Sequence, residues 1–208
     1  MELTADEGLR VLKTYLKIIN IFYFEIYLLF LLILSKLVAV VIKRIKAFLI
    51  DYLIILIYII CLTGVTYLTI LLFHLTLMNG NPYRGELLGF TTLTLPVILY
   101  FTISEHSRYC ATIGKRKTGL QVLNLNRKNA GLTALFIRNC LKFLPWEIAH
   151  FFIYRLFYEQ SLRVPTTLGV IAGLTMSQLA VLLYLLFMIF NRNNRTIYEL
   201  LSGTQTVS

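Results

Sequence analysis

Charged residues are scarce in this chain: only 14% of its 208 residues are Asp, Glu, Lys or Arg, against about 25% in soluble globular proteins. Apolar and aromatic residues make up 58%, and the mean hydropathy is +0.74. A soluble globular protein is therefore excluded, and an integral membrane protein is predicted. Because a membrane-spanning helix takes about 20 residues, the chain has room for one membrane domain and little else.

Cysteine is also scarce: the chain has three, and none has the C-x-x-C spacing of a redox or metal site. Neither a disulfide framework nor a zinc site is indicated. The three histidines lie on separate segments without metal-ligand spacing, and the catalytic patterns H-E-x-x-H and G-x-S-x-G are absent. We predict no enzyme activity, no metal and no cofactor.

Acidic residues are few, with 10 Asp and Glu against 20 Lys and Arg, which gives a net charge of +10. In a soluble protein this excess would suggest nucleic-acid binding. In so hydrophobic a chain the excess of basic residues has another explanation, because basic residues collect in cytoplasmic loops and beside anionic lipid headgroups of a membrane protein. We predict no nucleic-acid partner, contact with anionic headgroups, and no cleaved signal peptide, since no small-residue cleavage site follows the first apolar run.

Apolar runs of spanning length place the membrane helices. The clearest run extends from Phe48 to Met78. It is followed by a return span from Leu87 to Ile103 and by a last span from Leu168 to Phe190. Residues 18–42 either span the membrane or lie along its interface. Residues 145–158 hold several polar side chains and are a less secure span, but they must cross if the C-terminus is cytoplasmic.

The predicted fold is an all-α membrane protein, with an N-terminal membrane-associated helix in residues 1–42 and a membrane domain in 43–208. About four transmembrane helices form its bundle. NGNPYRGE, residues 79–86, is predicted to be a turn, and Pro96 a kink. Thr133 is the predicted N-cap of an interfacial helix that runs from Ala134 to about Leu144.

The segment from Ser104 to Lys128 holds six basic residues and one acid, which predicts a cytoplasmic location. Within it, GLQVLNLNRKN is typical of a short strand leading into an Asn-rich turn, and a small cytoplasmic β-hairpin is expected. The C-terminal tail is predicted to form one helical turn, a glycine stop and a short strand. The strands at Gly119–Leu123 and Gly203–Val207 are then expected to pair, with the C-terminus also cytoplasmic.

The stretch ATIGKRKTGLQVLN, residues 111–124, has two glycines at the spacing of a phosphate-binding loop. The required G-K-[ST] is missing, because Gly119 is followed by Leu120, so nucleotide binding is not expected. We predict instead that Gly114 and Gly119 form a hinge of tight turns. The basic residues expected to contact lipid headgroups are Lys115, Arg116, Lys117, Arg127 and Lys128.

Acids near the ends of the spans are the remaining candidates for function. Arg44 and Asp51 are seven residues apart and share one helix face. Asp51 is therefore either tethered by Arg44 or another basic residue, or part of a proton or cation site. The other residues predicted on the same side, where a cluster is geometrically possible, are Glu105, Glu147, Glu199 and Arg138.

Several stretches together resemble the RDD family of small bacterial and archaeal membrane proteins. They are R-I-K-A-F-L-I-D from Arg44 to Asp51, Glu105 leading to T-I-G-K-R-K-T-G-L-Q-V, I-R-N ending at Asn139, and E-L-L-S-G-T from Glu199. The resemblance covers about residue 40 to the end. It places Arg44 at the family's arginine and Asp51 at its first aspartate, with Glu199 where the second aspartate is usual.

The resemblance implies transport of unspecified ligands, with cation/proton exchange proposed for some members. Two functional hypotheses follow. One is a transporter-like protein that moves a proton or small cation through membrane-embedded carboxylates. The other is a non-transporting scaffold or accessory subunit whose basic cytoplasmic face binds anionic lipid or a protein partner. Either is expected in the bacterial cytoplasmic membrane as a multi-pass protein, in a homo-oligomer or with a membrane-protein partner.

Overall fold

The computed structural model describes residues 40–73, 82–191 and 193–208. The chain divides after Ile42, and the unit from Lys43 to Ser208 is the one treated below. Residues 18–42 were predicted to span the membrane or to lie along its interface. All but the last three of them lie outside the described residues. Arg192 also lies outside them; it is one of two basic residues after the last span that favour a cytoplasmic C-terminus.

Three helices in the described ranges are long and apolar enough to cross a membrane. Helix α1 is Val40–Phe73, a continuous helical segment runs through Pro82–His106, and α6 is Leu168–Phe190. The shortest of them, with 23 residues, extends about 34 Å, which exceeds the roughly 30 Å of a hydrocarbon core. The predicted spans are therefore helical over their described residues, which do not include 74–78 of the first, and the chain is an integral membrane protein.

The second of these segments changes geometry along its length. It comprises α2, Pro82–Gly89, a π-helical stretch, Phe90–Thr94, and α3, Leu95–His106. The turn predicted for 79–86 is wrong for residues 82–86, which are part of α2, and residues 79–81 lie outside the described ones. Proline is favoured in a first helical turn, where its missing N–H has no intrahelical partner to lose.

Helix α5, Leu132–Ser161, is a single helix of 30 residues. The prediction of a separate helix ending near Leu144 was wrong, because the helix continues through Pro145. The predicted N-cap Thr133 lies inside the helix, and Gly131 occupies the N-cap position. Helix α5 is not among the three apolar helices, so the crossing of residues 145–158 stays a prediction.

Two tyrosines compensate for the two prolines inside helical segments. A proline has no N–H for the carbonyl four residues before it, which leaves the carbonyls of Thr92 and Leu141 without that donor. Tyr58 of α1 donates its hydroxyl to the Thr92 carbonyl, and Tyr184 of α6 donates to the Leu141 carbonyl at 2.9 Å. At each proline, the freed carbonyl therefore accepts a hydrogen bond from a neighbouring helix.

We expect Tyr184→Phe to lower the free energy of unfolding by about 1–3 kcal/mol, because it leaves the Leu141 carbonyl unsatisfied in a half-buried position. The measurement is thermal or denaturant unfolding of the purified protein in detergent. Tyr67→Phe is the matched control, since Tyr67 is 65% exposed and its hydroxyl should contribute less than about 0.5 kcal/mol. Equal effects of the two changes would contradict the assignment.

A two-stranded antiparallel sheet joins the loop to the C-terminal tail. Strand β1, Gln121–Asn124, pairs with β2, Thr204–Val207, so that Gln121 faces Val207 and Asn124 faces Thr204. The predicted pairing is confirmed. The sheet is not a hairpin, however, because its strands lie at distant positions in the chain; the local turn after β1 contributes only a bridge between Leu123 and Asn129.

Short helices position the two strands. Helix α4, Ile113–Lys117, precedes β1, and α7, Ile197–Leu201, precedes β2. Gly119 at φ +70° and Gly203 at φ +64° make the turns between helix and strand, a backbone region that glycine adopts without a steric cost. The predicted order of helical turn, glycine and strand in the tail is therefore confirmed.

Candidate functional site

A network of buried charges lies where the loop and the tail meet the helices. We call Arg44, Glu105, Lys115, Arg138 and Glu199 the charge network. Its side chains come from five helices: α1, α3, α4, α5 and α7. Four ion pairs connect them into one chain of contacts.

Arg138 is the centre of the charge network and is 1% exposed. Its Nη2 donates to Glu199 Oε1 at 3.1 Å, and its Nε lies 3.4 Å from Glu105 Oε2. The same guanidinium donates to the hydroxyls of Thr204 and Thr206, both at 2.9 Å. One side chain of α5 thus holds α3, α7 and β2 together.

Glu105 is the carboxylate on the α3 side of the network and is 1% exposed. Besides the contact with Arg138, it accepts hydrogen bonds from Lys115 Nζ and, at 3.1 Å, from Asn139 Nδ2. Each of its oxygens therefore has a partner. A buried carboxylate without such partners would cost several kcal/mol.

Glu199 is the carboxylate on the tail side and is fully buried. Arg44 Nη1 lies 3.1 Å from its Oε2, and the Thr206 hydroxyl donates to its Oε1. The Thr196 backbone N–H also donates to Glu199 at 2.9 Å, as in a capping box at the start of α7. Although burial alone raises the pKa of Glu199, Arg138 and Arg44, together with these hydrogen bonds, lower it to about 2.

The lowered pKa of Glu199 predicts a loss of stability in acid. Its ordinary value is 4.5, so the stabilisation is complete above about pH 4.5 and disappears as the pH falls towards 2. We expect the stability difference between the native protein and Glu199→Gln to be about 3 kcal/mol at neutral pH and to vanish across this range. Unfolding of both proteins as a function of pH measures it. A difference that does not change with pH would refute the charge contribution.

Asp51 has partners other than the predicted one. It accepts hydrogen bonds from the Thr112 hydroxyl at 2.6 Å, the Gly114 backbone N–H at 2.8 Å and the Tyr100 hydroxyl at 3.2 Å. Arg44 pairs with Glu199 instead, so the expected tether between Arg44 and Asp51 was wrong. Two residues on one face of a helix need not contact each other when both point towards a packed neighbour.

The structure corrects two of the roles predicted for residues of the loop, those of Lys115 and Gly114. Lys115 is 8% exposed and paired with Glu105, which corrects its assignment to the lipid headgroups. Burial lowers the pKa of Lys115, although Glu105 opposes that shift. Gly119 is in a tight turn, whereas Gly114 is helical and not a hinge. The basic residues that remain exposed are Arg116, Lys117, Arg127 and Lys128.

Glu147 does not join the charge network. It accepts a hydrogen bond from Thr94 Oγ1 at 2.5 Å, where the π-helical stretch faces α5. It stands nine residues after Arg138 on the same helix, a distance of about 14 Å along the axis. Of the six residues predicted as a relay or lock, the structure thus links Arg44, Glu105, Arg138 and Glu199, and it places Asp51 and Glu147 in separate hydrogen-bonded groups.

Other members of the site were not assigned from the sequence. The pattern Thr196-x-x-Glu199 is that of a capping box and could have indicated why Glu199 is fixed. Lys142 stands four residues after Arg138, a spacing that puts both cations on one helix face. No local signal marks Thr112 and Tyr100 as donors to Asp51, because both lie far from it in the chain.

A small cavity adjoins these groups. Its volume is about 80 Å³, and Arg44, Asp51, Lys115, Arg138 and Lys142 are among its lining residues. Within the described ranges, no three His, Cys, Asp or Glu side chains are grouped in a way that could hold a metal ion.

The profile of the RDD family matches residues 38–203. The chain belongs to the RDD family. The match includes every member of the charge network as well as Asp51, and it ends directly before β2. Comparisons with curated proteins and with solved structures give no significant match.

Proposed function

We propose that this RDD protein is a non-transporting membrane scaffold or accessory subunit in which the charge network is a structural lock. The observation that carries the proposal is that both carboxylates of the network, Glu105 and Glu199, are held by two cations each. A carboxylate so compensated is a poor ligand for a passing cation. The lock fixes the loop and the tail against the ends of the membrane helices.

The exposed surface of the loop supplies the binding face in this proposal. Of the five basic loop residues predicted to contact lipid headgroups, all except Lys115 are exposed: Arg116, Lys117, Arg127 and Lys128. Each basic residue near an anionic leaflet contributes about 1 kcal/mol of attraction. With the loop and the C-terminus on the cytoplasmic side of a bacterial membrane, this face meets anionic lipid or an acidic region of a partner protein.

Transport of a proton or small cation is the second candidate function, and Asp51 is the observation that favours it. Among the described residues, no cation lies within ion-pair distance of this carboxylate, which is held by neutral donors alone and borders the cavity. A buried acid with neutral partners in a membrane protein is a reasonable exchange site.

One set of measurements separates the two functions. The native protein, Asp51→Asn and Glu199→Gln are reconstituted into vesicles, proton flux is followed on addition of Na⁺ or K⁺, and unfolding of each protein is measured in detergent. The scaffold predicts no cation-dependent flux and a lower melting temperature for Glu199→Gln. Transport predicts flux in the native protein that Asp51→Asn abolishes, and such a result would overturn the scaffold proposal.

A further inference from the structure

The cavity beside the charge network has an excess of positive charge. Four cations line it, Arg44, Lys115, Arg138 and Lys142, whereas Asp51 is the only acid among its lining residues. When the two carboxylates paired with these cations, Glu105 and Glu199, are also counted, four positive charges face three negative ones. One positive charge is left without a counter-charge, which is costly for buried groups.

Lys142 is the cation without a counter-charge: burial lowers the pKa of its ammonium group well below the usual 10.5, and an anion bound beside it would favour the charged form. Among the described residues, none of the ion pairs or hydrogen bonds includes its ammonium group, which lies 3.6 Å from the centre of the Phe101 ring and 5.0 Å from that of Phe143. An aromatic face attracts a cation but does not neutralise it. The other three cations of the cavity each have a carboxylate partner, so Lys142 is available for a ligand.

Two further donors, both on arginines that line the cavity, lack an acceptor. The Nε atoms of Arg44 and Arg138 are both buried, and neither donates a hydrogen bond within the described structure. The contact of Arg138 Nε with Glu105, at 3.4 Å, is an ion pair without hydrogen-bond geometry. Buried N–H groups without partners are rare in native proteins, and an acceptor is commonly bound beside them.

We propose that this cavity binds a phosphate group through Lys142, Arg44 and Arg138. Guanidinium and ammonium groups are the donors that proteins use for phosphate, and a phosphate offers several acceptor oxygens to separate N–H groups. Tyr198 and Thr206 also line the cavity. A phosphodiester, as in a lipid headgroup, carries one negative charge, which equals the excess, and the monoanion of inorganic phosphate offers the same charge and the same kind of acceptor oxygens.

The site goes beyond the proposed scaffold, whose binding face is the exposed surface of the loop. The lock holds the helices with or without a ligand. The phosphate site adds to two arginines of the lock the cavity cation that has no carboxylate partner, Lys142. Loss of the phosphate site would therefore leave the assignment of Glu105, Arg138 and Glu199 unchanged.

The test measures binding to the full chain in a neutral detergent and a chloride buffer of constant ionic strength. The probes are inorganic phosphate and a short-chain phosphatidylglycerol below its micelle concentration, each followed by the melting temperature and by calorimetric titration. We expect a saturable rise in melting temperature with one or both probes. If only phosphate or only the lipid binds saturably, that result identifies the source of the bound group.

Lys142→Met is the decisive variant. It should raise the dissociation constant of the effective probe by about ten- to a hundredfold, as expected for the loss of a charged hydrogen bond. Without any probe, its melting temperature should equal or exceed that of the native protein, because the uncompensated charge is gone. A purely structural lysine would give a lower melting temperature and leave probe binding unchanged.

Lys46→Met is the matched control, since Lys46 is an exposed lysine of α1 that belongs neither to the cavity lining nor to the binding face of the loop. It should bind the probes as the native protein does. Failure of both probes to bind saturably overturns the proposal. So does equal weakening by Lys46→Met and Lys142→Met, since the anions would then bind the exposed surface.

Discussion

Arg138→Met should lower the free energy of unfolding by about 3–5 kcal/mol, the usual cost of breaking a buried ion pair by removing one partner. The guanidinium bonds two carboxylates and two hydroxyls at once. Methionine fills much of its volume but replaces none of these contacts. Glu105 then keeps only Lys115 and Glu199 only Arg44, and both lose the cation that they share.

The control for this change is Arg116→Met, which removes an exposed guanidinium that lies over the Tyr109 ring. Its effect should be below about 1 kcal/mol. Unfolding of both variants in detergent gives the comparison. Similar values for the two would show that the charge network contributes little to stability.

Arg138→Lys provides a second check on the same residue. It keeps the positive charge but loses the planar arrangement of donors that reaches Glu199, Thr204 and Thr206 together. We expect a loss of stability between that of the methionine variant and zero. A lysine variant as stable as the native protein would mean that charge alone, and not the shape of the guanidinium, matters at this position.

The elements that local patterns specify were predicted well. Runs of apolar residues located the three apolar helices, because length and hydropathy suffice for that assignment. A glycine followed by alternating residues located both strands, and their antiparallel pairing was confirmed. The helix that ran through Pro145 was missed, because the donor that compensates for this proline comes from α6 and is not visible in the local sequence.

The partners inside the site could not be predicted in the same way. Helical spacing placed Arg44 and Asp51 on one face, but their partners are set by packing across the chain, and Glu199 is 155 residues from Arg44. Charge counting likewise placed Lys115 with the other basic residues of the loop. That rule describes the average loop residue, whereas the short helix α4, which Thr112 caps, directs this one lysine towards Glu105.

Gly114→Ala should lower the free energy of unfolding by about 3 kcal/mol or more. A Cβ at this position would be 2.8 Å from Asp51 Cγ and 2.9 Å from Asp51 Oδ2, and closer still to the backbone oxygen of Ala47. A backbone atom cannot rotate away, so α4 must move from α1. Overpacking costs about 1–3 kcal/mol, and the hydrogen bonds from Thr112 and Gly114 to Asp51 are lost with it.

Gly64→Ala is the control for the alanine itself, because no other group of the described residues lies within 4 Å of a Cβ at Gly64 on α1. There alanine should leave stability unchanged or raise it by up to about 1 kcal/mol, since it favours the helix. A destabilisation of Gly114→Ala no larger than that of Gly64→Ala would contradict the close approach of α4 to α1.

A double-mutant cycle distinguishes the lost hydrogen bonds from the steric contact. In an Asp51→Ala background, the bonds from Thr112 and Gly114 are already absent, whereas the contact with the Ala47 carbonyl oxygen remains. Gly114→Ala should therefore cost less in that background than in the native protein, by about 1–2 kcal/mol, yet still be destabilising. Full additivity would mean that α4 keeps its bonds to Asp51 when it moves. Complete suppression would mean that the Asp51 carboxylate, and not the backbone of α1, is what excludes a side chain at position 114.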